Sequence, residues 1–144
     1  MVSNLALGAL VISLNVIVHT MGLMALARWM PWAVRWFRLH RHSFGKTVAM
    51  VTTVLGIFLV HTIEVWTWAF AYLMTGVASG LEGAVYFSTV TFSTLGYGDI
   101  TPPPGWRVFA ALEAMNGFIL IGWSIAYLIA ASTRHGPFRI GEHF

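Results

Sequence analysis

Long apolar runs separated by short polar stretches are the dominant pattern along this chain. Three runs, 5–27, 47–74 and 108–131, reach the length of about 20 residues that an α-helix needs to cross a membrane. A fourth segment, 83–93, is too short to cross, and it leads into a glycine-rich stretch. Irregular backbone at membrane depth must be shielded by protein or line a water-filled cavity. The pattern therefore predicts three membrane helices and one short re-entrant helix and loop.

The composition agrees with a membrane protein. The 144 residues are 58% hydrophobic and 9% charged, whereas a soluble domain is about 25% charged. There is no cysteine, so disulfide bonds contribute nothing. The first apolar run is too long for a cleavable signal peptide, and we expect it to stay as a helix. No nucleophile–base set or phosphate-binding loop is visible, and His40 and His42 are too few to specify a metal site, so we predict neither an enzyme nor a cofactor.

Residues 94–99 read Thr-Leu-Gly-Tyr-Gly-Asp and form the most distinctive motif in the chain. The glycines on either side of Tyr97 give the backbone access to conformations that other residues avoid. Three consecutive prolines, 102–104, follow the motif and exclude a helix there. The short helix before the motif would direct the negative end of its dipole toward the loop.

The motif resembles the potassium channel signature T-V-G-Y-G-D, with Leu95 at the second position. The similarity extends over Tyr86, Phe87 and Ser88 into the preceding helix, which looks like the pore helices of two-pore-domain and small prokaryotic channels. The resemblance implies an all-α membrane protein in which four copies of the chain surround a central pore. Each copy would supply an outer helix, a pore helix, a filter loop and an inner helix, and the carbonyls of four loops would replace the water shell of K+.

The same resemblance assigns roles to single residues. The implied potassium-binding residues, from the innermost site outward, are Thr94, Leu95, Gly96, Tyr97 and Gly98. The implied supports of the filter are Tyr86, Phe87, Asp99 and Glu113. Val90 stands where some small bacterial channels carry a glutamate bonded to the aspartate, so the partner of Asp99 must come from elsewhere or be water. Glu113 is expected to supply a carboxylate behind the filter or to bond hydroxyl groups of the pore helix such as Ser88, Thr89 or Thr91, and the two roles do not exclude each other.

Two glycines interrupt the inner helix. By alignment with small bacterial channels, Gly117 falls on the gating hinge and Gly122 lies below it. A glycine permits a helix to bend or a neighbour to approach closely, and both explanations stay open. Asn116 adjoins the hinge and is expected to face the cavity, where a neutral polar ring would help to hydrate an ion.

Polar residues inside the first two apolar runs are informative because they are unfavourable in lipid. His19 is expected to be a neutral imidazole bonded to a neighbouring helix, with a pH sensor as the alternative. His61 and Glu64 are three residues apart and can meet on one helix face. They form either a proton or cation sensor or, as we favour, a hydrogen-bonded pair that fixes helix packing.

The segment 29–46 combines tryptophans with basic residues. Trp29, Trp32 and Trp36 have the i, i+3, i+7 spacing of one helix face. Basic and aromatic residues together suit the headgroup layer of a membrane, and nucleic-acid binding is a weak alternative between two membrane helices. The residues expected to contact anionic lipids are Arg28, Arg35, Arg38, Arg41 and Lys46.

The apolar runs, together with the resemblance to potassium channels, also predict the division of the chain. The expected order is an additional N-terminal helix at 1–28, the interfacial segment at 29–46, a pore module at 47–133 and a cytoplasmic tail at 134–144. Within the pore module, the expected elements are an outer helix at 47–75, a pore helix at 83–93, the filter at 94–98 and an inner helix at 107–133.

The distribution of charge predicts the orientation. Seven of the eight lysines and arginines lie at the ends of the membrane runs that are remote from the loop, and only Arg107 follows the loop. The positive-inside rule places those seven in the cytoplasm. The N-terminus would then lie outside the cell membrane and the C-terminus in the cytoplasm. Glu82 and Asp99 would make the outer mouth acidic and concentrate cations there.

These observations together predict a homotetrameric, potassium-selective channel that conducts K+ passively. Steep voltage gating is not expected, since no membrane helix carries an arginine at every third residue. A non-selective cation channel with the same fold is the first alternative, and the presence of Tyr97 argues against it. A non-conducting membrane protein that needs a partner is the second alternative.

Overall fold

The computed structural model describes residues 2–36 and 43–135. Within these ranges the regular secondary structure is helical, and there is no strand. The helices are α1 (Val2–Trp36), α2 (Ser43–Met74), α3 (Leu81–Phe92) and α4 (Arg107–His135), with a 3-10 turn at Pro104–Trp106. Three of them are long and apolar enough to cross a membrane, over Val2–Ala33, Phe44–Met74 and Pro104–Arg134. The predicted all-α fold, with three membrane helices and one short helix, is confirmed.

Four helix boundaries extend beyond the predicted ones, by two residues at the start of α3 and at the end of α4 and by more at the end of α1 and the start of α2. α1 continues past Arg28 to Trp36 with Pro31 inside it, because a basic residue marks the edge of an apolar run and not the end of the helix. Trp32 and Trp36 stack in this extension, with ring centroids 5.5 Å apart. α2 begins at Ser43, before the predicted start at 47. The predicted interfacial or tail residues Arg38, His40, Arg41, His42 and Arg139 lie outside the described residues.

An aromatic cluster holds α3 between α2 and α4. The rings of Tyr72 on α2 and Phe87 on α3 meet edge-on with centroids 4.9 Å apart. Phe109 on α4 contacts Tyr72 at 5.5 Å and Trp68 at 5.0 Å, also edge-on. Edge-to-face contacts are favoured by the ring quadrupole, and all four side chains are buried. The cluster therefore fixes the position from which the loop after α3 begins.

Small residues bring α1 close to α2. Gly22 on α1 faces Val60, and Gly56 on α2 faces Leu26, so that a β-carbon at either glycine would overlap the opposing side chain. Small residues permit close helix approach in membranes, where packing and hydrogen bonds drive association. α1 also packs on α4. The additional helix is therefore an integral part of the helix bundle.

Candidate pore loop

The loop begins where α3 ends, and the end of the helix holds its backbone. The amide N–H groups of Leu95 and Gly96 both donate to the carbonyl oxygen of Val90, over 3.0 and 3.2 Å. The N–H of Thr94 donates to the carbonyl oxygen of Thr91 at 3.0 Å. These bonds satisfy carbonyls that the end of a helix otherwise leaves without partners.

The direction of these N–H groups determines the direction of the neighbouring carbonyls. The described residues contain no cis peptide bond, and in a planar trans peptide the C=O points opposite to the N–H of the next residue. The carbonyls of Ser93, Thr94 and Leu95 therefore point away from α3. The loop presents a row of oxygen atoms on the side opposite its helix.

Backbone angles alternate along the loop. Thr94, Gly96 and Gly98 have φ values of 61°, 56° and 78°, and the residues between them are not in the positive region. Alternating left- and right-handed residues turn successive peptide groups toward the same side. Thr94 is the single non-glycine residue with positive φ in the described part of the chain. A residue in such a conformation costs about 1–3 kcal/mol, and this strain concentrates at functional sites.

The loop is open to its surroundings in a single chain. Every residue from 93 to 101 is exposed, and the side chains of Leu95 and Tyr97 are 55% and 67% exposed. The ring of Tyr97 is therefore largely uncovered within one chain. The loop therefore has surfaces that no other part of the chain covers.

Tyr86 holds the C-terminal end of the loop. Its hydroxyl donates to Asp99 Oδ2 at 2.5 Å. This hydrogen bond is the main cause that lowers the pKa of Asp99 and raises the pKa of Tyr86 from their ordinary values. Tyr86 is thus the partner of Asp99 that the sequence left open. Sequence reasoning included both residues among the filter supports but missed their contact, because the path of the loop decides which side chains meet.

Glu113 is buried behind α3 and joins three helices. Its carboxyl group bonds the hydroxyl of Tyr72 on α2, and it lies 2.5 Å from Ser88 Oγ on α3. Ser88 Oγ also lies 2.9 Å from the carbonyl oxygen of Val65. A serine hydroxyl carries one proton, so all three contacts are hydrogen bonds when Glu113 is protonated and donates to Ser88. Glu113 therefore binds pore-helix and outer-helix hydroxyls, while Asp99 has a partner of its own.

The two glycines of α4 have different surroundings. A β-carbon at Gly117 would lie 2.0 Å from the carbonyl oxygen of Phe92 at the end of α3, whereas no atom lies within 4 Å of the same position at Gly122. Gly117 is therefore needed for the close approach of α4 to α3, and the hinge role of both glycines stays a prediction. Asn116 is buried, while the adjacent Met115 is exposed. This differs from the expected position of Asn116 on an open cavity, because that side of α4 faces the chain's own helices.

Polar residues of three membrane helices meet in one place. His61 Nδ1 lies 2.7 Å from Glu64 Oε2, as the spacing predicted. His19 Nδ1 on α1 lies 2.9 Å from the other oxygen of this carboxyl group. Ser124 Oγ on α4 lies 3.0 Å from His61 Nε2. The sequence predicted the pair of His61 and Glu64 and a partner for His19 on a neighbouring helix. No spacing rule identified Glu64 as that partner or Ser124 as a further member of the cluster.

Comparison with protein families gives the class to which this arrangement belongs. Residues 58–134, more than half of the chain, match the family described as Ion channel. The chain belongs to this family of ion channels, and its class is therefore that of membrane proteins that conduct ions passively. The matched region begins within α2 and ends in α4, and α1 lies outside it. Comparison with curated proteins and comparison with solved structures each gave no significant match.

Proposed function

We propose that four copies of this chain form a potassium-selective channel. The observation that carries the proposal is the row of carbonyl oxygens at Ser93, Thr94 and Leu95, which points away from α3 along a loop with alternating φ. Four such rows around one axis would replace the water shell of K+. The C-terminal end of the α3 dipole would add negative potential at the same place.

Assembly of four chains is proposed because one chain supplies one wall of the filter. The loop is exposed in the single chain. α4 exposes large apolar side chains as well, namely Met115, Phe118, Ile119, Trp123 and Ile125. These surfaces suit contacts between identical chains, which repeat in a closed ring.

Selectivity for K+ over Na+ is proposed from the sequence of the loop. Tyr97 stands between two glycines, as in selective filters that the motif resembles. Leu95 is bulkier than the valine of the common signature, but its carbonyl points away from α3 and stays available to an ion. The larger side chain of Leu95 is exposed and leaves the row of carbonyl oxygens unobstructed within the chain.

We also propose that the chain lies in the cell membrane with its N-terminus outside and its C-terminus in the cytoplasm. In this orientation Arg28, Lys46 and Arg134 lie on the cytoplasmic side, and Arg107 lies outside. The exposed Trp32 and the basic residues near it would then contact anionic lipid headgroups of the inner leaflet.

Ion flux into liposomes tests the proposed function. Purified protein in liposomes should admit K+, admit little Na+ in matched vesicles, and be blocked by Ba2+. Y97A should reduce the difference between the two ions. Equal fluxes in the wild type would indicate a non-selective cation channel. Absence of flux across a range of pH and voltage would favour a non-conducting protein that needs a partner.

A further inference from the structure

Two histidines and one glutamate come together between α1 and α2, inside the membrane-spanning region. We propose that His19, His61 and Glu64 bind a divalent transition-metal ion, for which zinc is the best fit. His19 lies on α1 and the other two ligands lie on α2. The bound ion would therefore connect the additional helix to the pore module.

The three side chains are already arranged as a ligand set. One nitrogen or oxygen atom from each lies within 4.8 Å of the others. Glu64 Oε1 is 2.9 Å from His19 Nδ1, and Glu64 Oε2 is 2.7 Å from His61 Nδ1. Zinc bonds in a tetrahedral site set neighbouring ligand atoms roughly 3.4 Å apart, so the two His–Glu distances would lengthen by about half an ångström or slightly more on binding.

The charge of Glu64 favours a cation at this place. Glu64 is 0% exposed, and among the described side chains its ion-pair partners are two histidines and no lysine or arginine. An ionised carboxylate without a compensating positive charge is strongly unfavourable inside a membrane. Neutral imidazoles donate hydrogen bonds to it but bring no charge. A divalent ion would compensate the carboxylate and use a lone pair of each imidazole.

The chemistry of the donors selects zinc among common ions. Two imidazoles and one carboxylate suit zinc and leave a fourth position for water, whereas Mg2+ and Ca2+ prefer oxygen ligands. Ser124 Oγ lies 3.0 Å from His61 Nε2, and such an outer contact orients a metal-bound imidazole. His19 Nε2 is buried without a hydrogen-bond partner. The hydrogen bond between His19 Nδ1 and Glu64 Oε1 is therefore the polar contact that orients the His19 ring.

A cavity lies beside the cluster and would provide the route by which an ion enters. His61 is 19% exposed and lines a cavity of about 450 Å³ between α2, α3 and α4, together with Ser124 and Phe92. A path of entry is one requirement of a metal site. The rings of His61 and Phe92 have centroids 5.8 Å apart, and the backbone of Phe92 packs on Gly117. A bound ion would therefore stabilise the packing around the C-terminal end of α3 as well as the contact between α1 and α2.

Thermal unfolding in the presence of zinc tests this proposal. Metal-stripped protein without a polyhistidine tag is placed in lipid nanodiscs and titrated with Zn2+ or, in parallel, with Mg2+. An ion that binds only the folded protein raises its Tm, and we expect a rise of several degrees with Zn2+ and none with Mg2+. H19Q and E64Q should lose this rise. N15A is the matched control, because Asn15 is buried one turn from His19 without a partner for its amide, and it should keep the rise.

X-ray absorption at the zinc edge decides the question even when a variant does not assemble. Wild-type protein and an H40Q/H42Q double variant should give the same spectrum, with imidazole scattering and about four light-atom ligands. No rise in Tm with zinc in the wild type, an equal rise in H19Q and E64Q, or a spectrum without imidazole would each overturn the proposal. None of these readouts depends on K+ flux, so they test the metal site separately from conduction.

Discussion

The exposed loop and the buried acidic residues of the helices differ in how their polar groups are satisfied. Along residues 93–95 the carbonyls point away from the helix that holds the loop, and the side chains around them are exposed. In the helices, Glu113 and Glu64 are fully buried, and each is bonded by two side chains of the same chain. These two buried carboxyl groups thus find their partners within one chain, whereas the loop leaves carbonyl oxygen atoms without partners. In a membrane protein, backbone groups without partners need a water-filled pore, an ion or other protein, and the proposed function therefore rests on the loop.

The largest effect on K+ flux should come from a substitution in the loop. Gly96 has a φ of 56°, and alanine in this left-handed region costs about 1–2 kcal/mol in every copy. G96A should therefore lose K+ flux in liposomes, while the helices remain folded by circular dichroism. G83A on α3 is the matched control, since no atom lies within 4 Å of its β-carbon position, and it should conduct like the wild type. Normal flux in G96A would mean that the loop is not the conduction path.

The second largest effect should be on the Tm and assembly of variants at the two glycines of α4. It distinguishes a role in close packing from a role as a hinge. G117A places a methyl group against the backbone of Phe92, and overpacking of this kind costs about 3 kcal/mol. We expect a lower Tm and loss of the tetramer by native mass spectrometry. G122A has open space and should match the wild type or gain up to about 1 kcal/mol from helix propensity. A stable G117A tetramer with an altered open probability would instead favour the hinge role.

A smaller effect should follow from changes at Glu113. E113A leaves the buried hydroxyl of Tyr72 without its acceptor, which costs about 1–3 kcal/mol. E113Q can donate to Ser88 and accept from Tyr72, as a protonated Glu113 does, and it should stay within about 1 kcal/mol of the wild type. Thermal unfolding of both variants in the same detergent measures the difference. Equal destabilisation of E113Q and E113A would show that Glu113 acts as a carboxylate.

The smallest effect on K+ flux should come from a change at the C-terminal end of the loop. Tyr86 lowers the pKa of Asp99 from its ordinary value, so their charged hydrogen bond is complete above that value and is lost as the pH falls through the lowered pKa. Y86F removes the bond, and Asp99 should take up a proton at a higher pH. K+ flux through Y86F should therefore decline earlier on acidification, while flux at neutral pH matches the wild type. Coincident pH profiles of flux would mean that Asp99 does not depend on Tyr86.

The helices and the loop were predictable because both follow from local patterns. Apolar length predicted the three membrane helices, and glycine spacing marked the loop after α3. The end of α1 was less predictable, because Arg28 marks a change of surroundings while the helical hydrogen bonds continue to Trp36.

Most contacts between different helices could not be predicted from the sequence. His61 and Glu64 were paired correctly because they share one helix face, but His19 joins them only through the packing of α1 on α2. The same holds for the approach of Gly117 to Phe92, which depends on how closely α4 crosses α3. Residues far apart in the chain follow no spacing rule, and only the folded arrangement brings them together.

The reversal potential of the reconstituted protein tests the central claim of potassium selectivity most directly. A planar bilayer separates tenfold different K+ concentrations, with Na+ added to balance the dilute side. A K+-selective pore should reverse near the potassium equilibrium potential, about 59 mV in magnitude for one charge and a tenfold gradient. A reversal potential near zero would show that Na+ passes as readily as K+ and would contradict the proposed filter.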